Sequence, residues 1–407
     1  MSTVATHVIV GANAAGATAA AELREQGFDG RVILIGQEPV TPYERPPLSK
    51  EYLRGETSFD EALLRPQGWF DEHDVETRFG VRADSIDATN RVVALAGGEE
   101  VAFDKLLVAT GCRNRRFPIP GLDLEGVLDL RSVADADAIR EAATAGGRVV
   151  SVGMGFIGAE VTASLRSRGL DVSAIEPQDT PLHRVLGSDI GAIIGEIHAD
   201  NGVTMHFGDV VERFEGSGRV EAVVTRSGKR YACDFAVVGV GVQPNVEIAE
   251  NSGLEIDNGI VVDRGLETNV PGIFAAGDVA RHDHPVFGSI RVEHFDNALK
   301  MGQHAARAML GDKGDFDDPH WFWSDQYDAN IQMAGFALSW DEIVLRGSPK
   351  ERSFSAFYLK DGALLSVFAL NRPRDVRRSM PLIKAGLRPD PAQLRDENVD
   401  LRRLLPT

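Results

Sequence analysis

The sequence predicts an α/β chain built from two nucleotide-type βαβ units, followed by an α+β domain. Three observations carry this expectation. Residues 6–35 run strand, glycine turn, Ala-rich helix, strand. Residues 148–175 repeat that order. From Pro319 onward the character changes, with Trp321, Trp323 and Trp340 set among alternating, strand-like runs. At roughly 100–200 residues per domain, a chain of 407 residues has room for such a set.

Thr6 to Val10 reads as a short buried strand, and Gly11-Ala-Asn13-Ala-Ala15-Gly16 as the turn after it. An Ala-rich helix then runs to about Gln26 and stops at Gly27, where a left-handed residue ends helices. Arg31 to Ile35 is the next strand and completes a βαβ unit of about 30 residues. Lys105 to Gly111 carries a strand to a special turn, and Phe117-Pro-Ile-Pro-Gly121 marks a linker. In the second unit, Arg148 to Val152 is the strand and Gly153 to Gly158 the turn. Ala159 to about Arg168 is the helix, and Asp171 to Ile175 the following strand. Phe235 to Gly241 and Ile273 to Asp278 are further strands ending on special turns. The alternation in Ser353 to Leu359 predicts an antiparallel sheet.

Composition excludes several classes. The chain is 43% hydrophobic and 26% charged, ordinary for a globular protein with a sizeable core. A net charge of −18 disfavours binding to nucleic acid or to an anionic membrane, although local basic clusters remain open. Cys112 and Cys233 are the only cysteines, with no C-x-x-C and no Cys/His cluster, so no protein-ligated metal is expected. The same scarcity fits a reducing cytoplasm. Met1 to Ala21 carries no charged residue, yet it is rich in Ala, Thr and Gly and lacks a basic leader. It reads as strand and helix rather than as a span or signal peptide.

Gly153-x-Gly155-x-x-Gly158 is a dinucleotide fingerprint in its proper strand–turn–helix setting. The first glycine permits the tight turn, the second lets backbone approach a pyrophosphate, and the third lets helix and strand pack closely. Phosphate then meets the free N–H groups at the helix start. Glu176 ends the next strand, where a carboxylate accepts from a ribose 2′-hydroxyl and repels a 2′-phosphate. NADH is therefore expected to outperform NADPH. The first turn has the same form with Asn13 at the second position, and Gln37-Glu38 downstream supplies its ribose contact. The fold class is thus two Rossmann-like dinucleotide-binding domains plus a C-terminal α+β domain.

Further strings sharpen this. They are Pro42-Tyr-Glu-Arg45-Pro-Pro-Leu-Ser-Lys50, Ala109-Thr-Gly111, Gly239-Val-Gly241-Val-Gln-Pro-Asn245, Asp257-Asn-Gly-Ile-Val-Val262, Ile273-Phe-Ala-Ala-Gly-Asp278 and Trp321-Phe-Trp-Ser-Asp-Gln326. With the second fingerprint they resemble, in order, the oxygenase-coupled NADH-dependent ferredoxin reductases. These are putidaredoxin reductase-like flavoproteins, glutathione-reductase-like in fold, of the FAD-dependent pyridine nucleotide oxidoreductase superfamily. The resemblance implies an FAD domain at 1–111 and 242–318, an NAD domain at 112–241 and a C-terminal domain at 319–407 covering the flavin.

It also implies site residues. Gly11, Ala15 and Gly16 fall at the FAD pyrophosphate, Gln37 or Glu38 at its ribose, and Ala83 at the adenine. Arg45, Lys50 and Arg131 lie beside the flavin, Asp278 at the ribityl chain and Phe295 against the ring. Gly153, Gly155, Ile157, Gly158, Glu176, Arg184 and Gly241 belong to NAD. Glu160 meets the nicotinamide carboxamide and pairs with Lys50, so these two are the implied catalytic residues. Without the resemblance, Arg45 and Lys50 read as exposed cations, Asp278 equally as a helix N-cap, Glu160 as an acid at a positive helix end, Arg184 as an exposed residue and Phe295 as core.

The implied reaction takes a hydride from NADH to FAD, then passes single electrons to a small iron–sulfur partner, usually a [2Fe–2S] ferredoxin. That ferredoxin feeds a cytochrome P450 or a Rieske oxygenase. The loop 43–50 holds no cysteine, unlike the disulfide-reducing branches, so electrons are expected to leave directly from the flavin. The alternatives are a rubredoxin reductase and an apoptosis-inducing-factor-like NADH-binding flavoprotein. The latter needs targeting segments, which a chain opening on its first strand is not expected to carry. Acidic partners call for a basic face on this acidic protein. The candidates are Arg372, Arg374, Arg377 and Arg378, then Arg113, Arg115 and Arg116.

Overall fold

The computed structural model describes residues 4–406. Its first sheet has five parallel strands in the order Ile273–Ala275, Lys105–Val108, Thr6–Val10, Arg31–Gly36, Val75–Phe79. The second is also five-stranded and parallel, ordered Val127–Asp129, Phe235–Val238, Arg148–Val152, Asp171–Glu176, Thr204–Phe207. The two orders correspond strand for strand. In each, the strand entering the glycine turn is central, where hydrogen bonding on both sides buries it. Such strands need apolar residues on both faces, and Val8, Ile9, Val149 and Val150 are all buried.

Chain leaving the first sheet and chain returning to it pair with each other, Cys112–Asn114 running antiparallel to Val242–Pro244. The second sheet is inserted between these connectors. Its fingerprint helix spans Phe156–Ser167, starting earlier than the sequence suggests because Gly155, inside the fingerprint, is itself the N-cap.

The C-terminal residues form a five-stranded antiparallel sheet, Trp321–Gln326, Ala329–Gly335, Ala363–Leu370, Ser353–Lys360, Glu342–Ser348. Alternation along Ser353–Lys360 does not separate core from solvent. Phe354, Ala356 and Tyr358 pack towards the helix His183–Asp200 of the second unit. Phe357 and Leu359 pack towards the helix Pro373–Lys384. The Tyr358 hydroxyl donates to the Leu186 carbonyl at 3.0 Å, fastening the first of these faces. The strand Trp321–Gln326 lies against the helices Phe156–Ser167 and Phe295–Met309, one from each parallel unit. Among the described residues no helix is long and apolar enough to cross a membrane.

Candidate active site

A cleft of about 1580 Å³ opens where the carboxyl ends of both parallel sheets face the C-terminal sheet. Ordinary small-molecule sites occupy roughly 300–1,000 Å³, so this one has room for two extended ligands meeting end to end. Both fingerprints open into it, through Gly11 and Ala15 on one side and Gly155, Ile157 and Gly158 on the other. Gln37, Glu38, Arg45, Ala83, Arg131, Asp278 and Phe295 also line it, as do Lys50, Glu160, Arg184 and Gly241.

Gly16, Gly153 and Glu176 do not line the cleft. Gly16 and Gly153 shape the turns, since a Cβ on either would fall within 2.4 Å of a backbone oxygen. Glu176 braces the second turn: its carboxylate accepts from the Met154 amide at 2.7 Å and the Gln178 amide at 2.9 Å.

On the first side, Asn13 caps the helix Ala14–Glu25, its Oδ1 accepting from the Ala14 amide at 2.9 Å. The side chain therefore folds back onto the helix instead of filling the cleft. Glu38 accepts from the Tyr43 hydroxyl and from Arg45, each at 2.5 Å, while Gln37 is exposed. Arg45 also donates to the Arg131 carbonyl. Arg131 pairs with Asp278 at 3.0 Å and donates to the Cys112 carbonyl at 2.9 Å. Asp278 is not an N-cap: the short turn Gly277–Val279 starts from Ala276 without side-chain capping, and the carboxylate is committed to Arg131.

Lys50 and Glu160 form a buried ion pair of 2.9 Å in the wall of the cleft. The reading of Lys50 as a surface cation is overturned, since it is only 4% exposed. Pro46 and Pro47 start a tight turn, Pro46–Ser49, that delivers it inward. Glu160 projects from the helix Phe156–Ser167 and also accepts from Ser49 at 2.5 Å and Ser324 at 2.7 Å. One cation and two hydroxyls thus offset the cost of burying the carboxylate. Phe295 is half-buried and sits edge-on to Trp323, with centroids 6.4 Å apart. Phe322 stacks on His294 at 4.1 Å and meets Phe156 edge-on at 4.6 Å, completing an aromatic wall drawn from all three sheets' units. Burial lowers the His294 ring to about 4, so it is neutral at physiological pH.

The family model for pyridine nucleotide-disulphide oxidoreductases matches residues 5–302, and one for the reductase C-terminal domain matches 321–405. The chain belongs to the pyridine nucleotide-disulphide oxidoreductase family. It is 38% identical to rhodocoxin reductase of Rhodococcus erythropolis, over 97% of this chain and 93% of that one. It is also 38% identical to the ferredoxin–NAD(+) reductase component of the anthranilate 1,2-dioxygenase system of Burkholderia cepacia, over 98% of each. The crystal structure of the ferredoxin reductase for the CYP199A2 system from Rhodopseudomonas palustris superposes with a TM-score of 0.94. It is 37% identical, over 98% of this chain and 99% of that one.

The family takes its name from disulphide chemistry, but this member's thiols do not suit it. Cys112 lines the cleft beside Arg291, at 3.2 Å, on the connector strand. Burial pushes its thiol up to about 12, and that of Cys233 up to about 11. Both stay protonated, and thiols are poor nucleophiles. A Cys112→Ser, Cys233→Ser variant is expected to keep its NADH-driven activity within about twofold of wild type. A steady-state assay on protein with full flavin content checks this; loss of activity would assign a thiol to electron transfer.

Sequence reasoning missed Ser49, His294, Phe322, Trp323 and Ser324 as site residues. Ser49, Phe322, Trp323 and Ser324 lie inside the two family strings, which name a stretch and not the face each side chain takes. The basic clusters also resolve differently from a linear count. Arg372 binds Asp375 and Glu397, and Arg378 lies 3.8 Å from Asp400. Arg113 pairs with Glu247 and Arg116 with Asp129. Arg374 and Arg377 are exposed and make no ion pair among the described residues.

Proposed function

We propose that this chain is an NADH-dependent flavoprotein reductase that supplies electrons to a [2Fe–2S] ferredoxin serving a cytochrome P450 or Rieske oxygenase. The observation that carries the reading is one cleft joining two dinucleotide turns around a buried Lys–Glu pair. Ferredoxin reduction by its named relatives supports it. Residues 1–111 and 242–318 would hold FAD, 112–241 NADH, and 319–407 the cover. The residues fit such ligands: Gly155 and Gly241 face open space where an added Cβ would meet no protein atom within 4 Å.

When bound, FAD supplies the chemistry, accepting a hydride and releasing electrons singly. The protein's residues do the rest. Gly11 and Ala15 offer backbone to one pyrophosphate, and Gln37 and Glu38 face the adjoining ribose. Arg131, Arg45 and Asp278 form a fixed polar floor, and Ala83 borders the adenine end. Gly155, Ile157 and Gly158 take the second pyrophosphate, with Arg184 beside it and Glu176 bracing the turn. Lys50 and Glu160 orient the reacting end, and Phe295, Phe322 and Trp323 exclude water. NADH plus two oxidised ferredoxins then give NAD⁺, two reduced ferredoxins and one proton. A cytoplasmic setting fits two buried, unpaired thiols.

The test has two parts. Flavin released by heat is expected to be FAD, and ferredoxin reduction to be ~10-fold or more efficient with NADH than with NADPH, because a 2′-phosphate would meet the Glu176 charge. FMN, or NADH that bleaches the flavin without ferredoxin ever being reduced, would sink the reading. Equal efficiency with NADPH would remove Glu176 from the ribose.

A further inference from the structure

A line of hydrogen bonds runs from the Lys50–Glu160 pair into the interior, away from the cleft. Ser324 donates to Glu160 Oε1 at 2.7 Å, and Gln326 Nε2 donates to Ser324 Oγ at 3.1 Å. His198 Nε2 meets Gln326 Oε1 at 3.0 Å, and His198 Nδ1 meets the Tyr327 hydroxyl at 3.1 Å. Glu160, Ser324, Gln326 and His198 are all buried. Gln326, His198 and Tyr327 do not line the cleft.

The carboxylate at its end fixes the direction of the whole line. An ionised carboxylate only accepts, so the single Ser324 proton goes to Glu160. Ser324 Oγ must then accept from the Gln326 amide nitrogen, which turns Gln326 Oε1 to His198. His198 must carry its proton on Nε2, leaving Nδ1 to accept from Tyr327. Burial lowers the His198 ring to about 4, which keeps it neutral and in that one tautomer. Every donor points towards Glu160. Bonds aligned head to tail polarise one another, and the last is charge-assisted.

We propose that Gln326 and His198 are positioning residues for nicotinamide binding, acting through Ser324 to hold the Glu160 carboxylate in its cleft-facing orientation. The proposal rests on the NADH reading above. A link needed only to fasten the units together has no use for polar groups: Phe156 and Phe322, beside it, do that with rings alone. The line joins the helix His183–Asp200 to the strand Trp321–Gln326 and ends on the fingerprint helix. The C-terminal domain therefore sets the geometry of a residue it does not contain.

The test is titration calorimetry of NAD⁺ into the FAD-loaded protein. Gln326→Leu and Ser324→Ala are each measured with Glu160 present and in a Glu160→Gln background. With Glu160 present, each is expected to weaken NAD⁺ binding about tenfold. In the Glu160→Gln background each is expected to change it by less than about twofold, since residues acting through one group are not additive. FAD content is expected to stay at the wild-type level throughout. Equal weakening in both backgrounds would make the line a structural fastening and overturn the proposal, as would unchanged affinity with Glu160 present. Should Gln326→Leu not fold, Ser324→Ala, which removes one hydroxyl, carries the test. A wild-type protein that holds FAD but binds no NAD⁺ would overturn the NADH reading and this proposal with it. Wild-type binding matched by the variants would overturn this proposal alone.

Discussion

Lys50→Met is expected to slow NADH-driven turnover about 100-fold, a size typical for removing one preorganised electrostatic group from an active site. Methionine keeps most of the lysine stem and removes the charge. Two consequences separate. The cleft loses a fixed cation where, under the proposed function, hydride transfer delivers negative charge. Glu160, buried and held by Ser49 and Ser324, also loses its counter-ion. Leaving a buried charge unpaired costs about 3–5 kcal/mol, so the melting temperature should fall as well. The double variant Lys50→Met, Glu160→Gln removes both charges and is expected to recover most of the stability and none of the turnover. Rapid-mixing kinetics and thermal unfolding on the same samples check the pair. Recovery of turnover along with stability would show that Lys50 serves only to neutralise Glu160.

The parallel units were legible because their signals are local. A short apolar run, spaced glycines and an Ala-rich segment specify strand, turn and helix without distant partners. The pairing of strands at one edge of each sheet was not. Val127–Asp129 joins the second sheet from before its first βαβ unit, and Ile273–Ala275 joins the first from far beyond its own. Nothing near either segment announces where it pairs. Alternation along Ser353–Lys360 marked a sheet strand, but period-2 patterning reads the same whether the second face meets water or another core.

The site was legible by resemblance more than by local chemistry. Read alone, Lys50 in Glu44-Arg-Pro-Pro-Leu-Ser-Lys50 is a loop cation. What pairs with it in the interior is a carboxylate 110 residues away, itself held by a serine from the last sheet. Charge density misled for the converse reason. Arg372, Arg378, Arg113 and Arg116 look available along the chain, but each meets an acidic partner in space, leaving Arg115, Arg374 and Arg377 to face solvent. Gln326 ends one of the family strings, yet neither it nor His198 carried a signal of its place, because a buried polar line is defined by the register of a strand from one domain against a helix of another.

Gly155→Val is expected to weaken NADH binding about 100-fold without unfolding the protein, the upper range for forcing extra carbons into a filled site. Gly155 has φ −70° and ψ −177°, extended backbone that valine adopts readily. It caps the fingerprint helix without a side-chain bond, and an added Cβ meets no protein atom within 4 Å. The protein itself therefore has no need for glycine there; a ligand's close approach does. Gly158 offers the contrast, since its Cβ would stand 2.1 Å from the Gly153 carbonyl oxygen. Gly158→Val should therefore fail by misfolding. Gly155→Asn supplies the other control. Asn13 occupies the matching place in the first turn and folds back to cap its helix, so asparagine at 155 should cap likewise and, intruding by its Cβ alone, weaken nucleotide binding less than valine does. Calorimetric titration of the FAD-loaded variants with NAD⁺, which takes the same turn without reducing the flavin, reads all three, with flavin content and melting temperature beside it. NAD⁺ affinity unchanged in a folded Gly155→Val protein would place the nucleotide away from this turn, and the assignment of residues 112–241 to NADH would go with it.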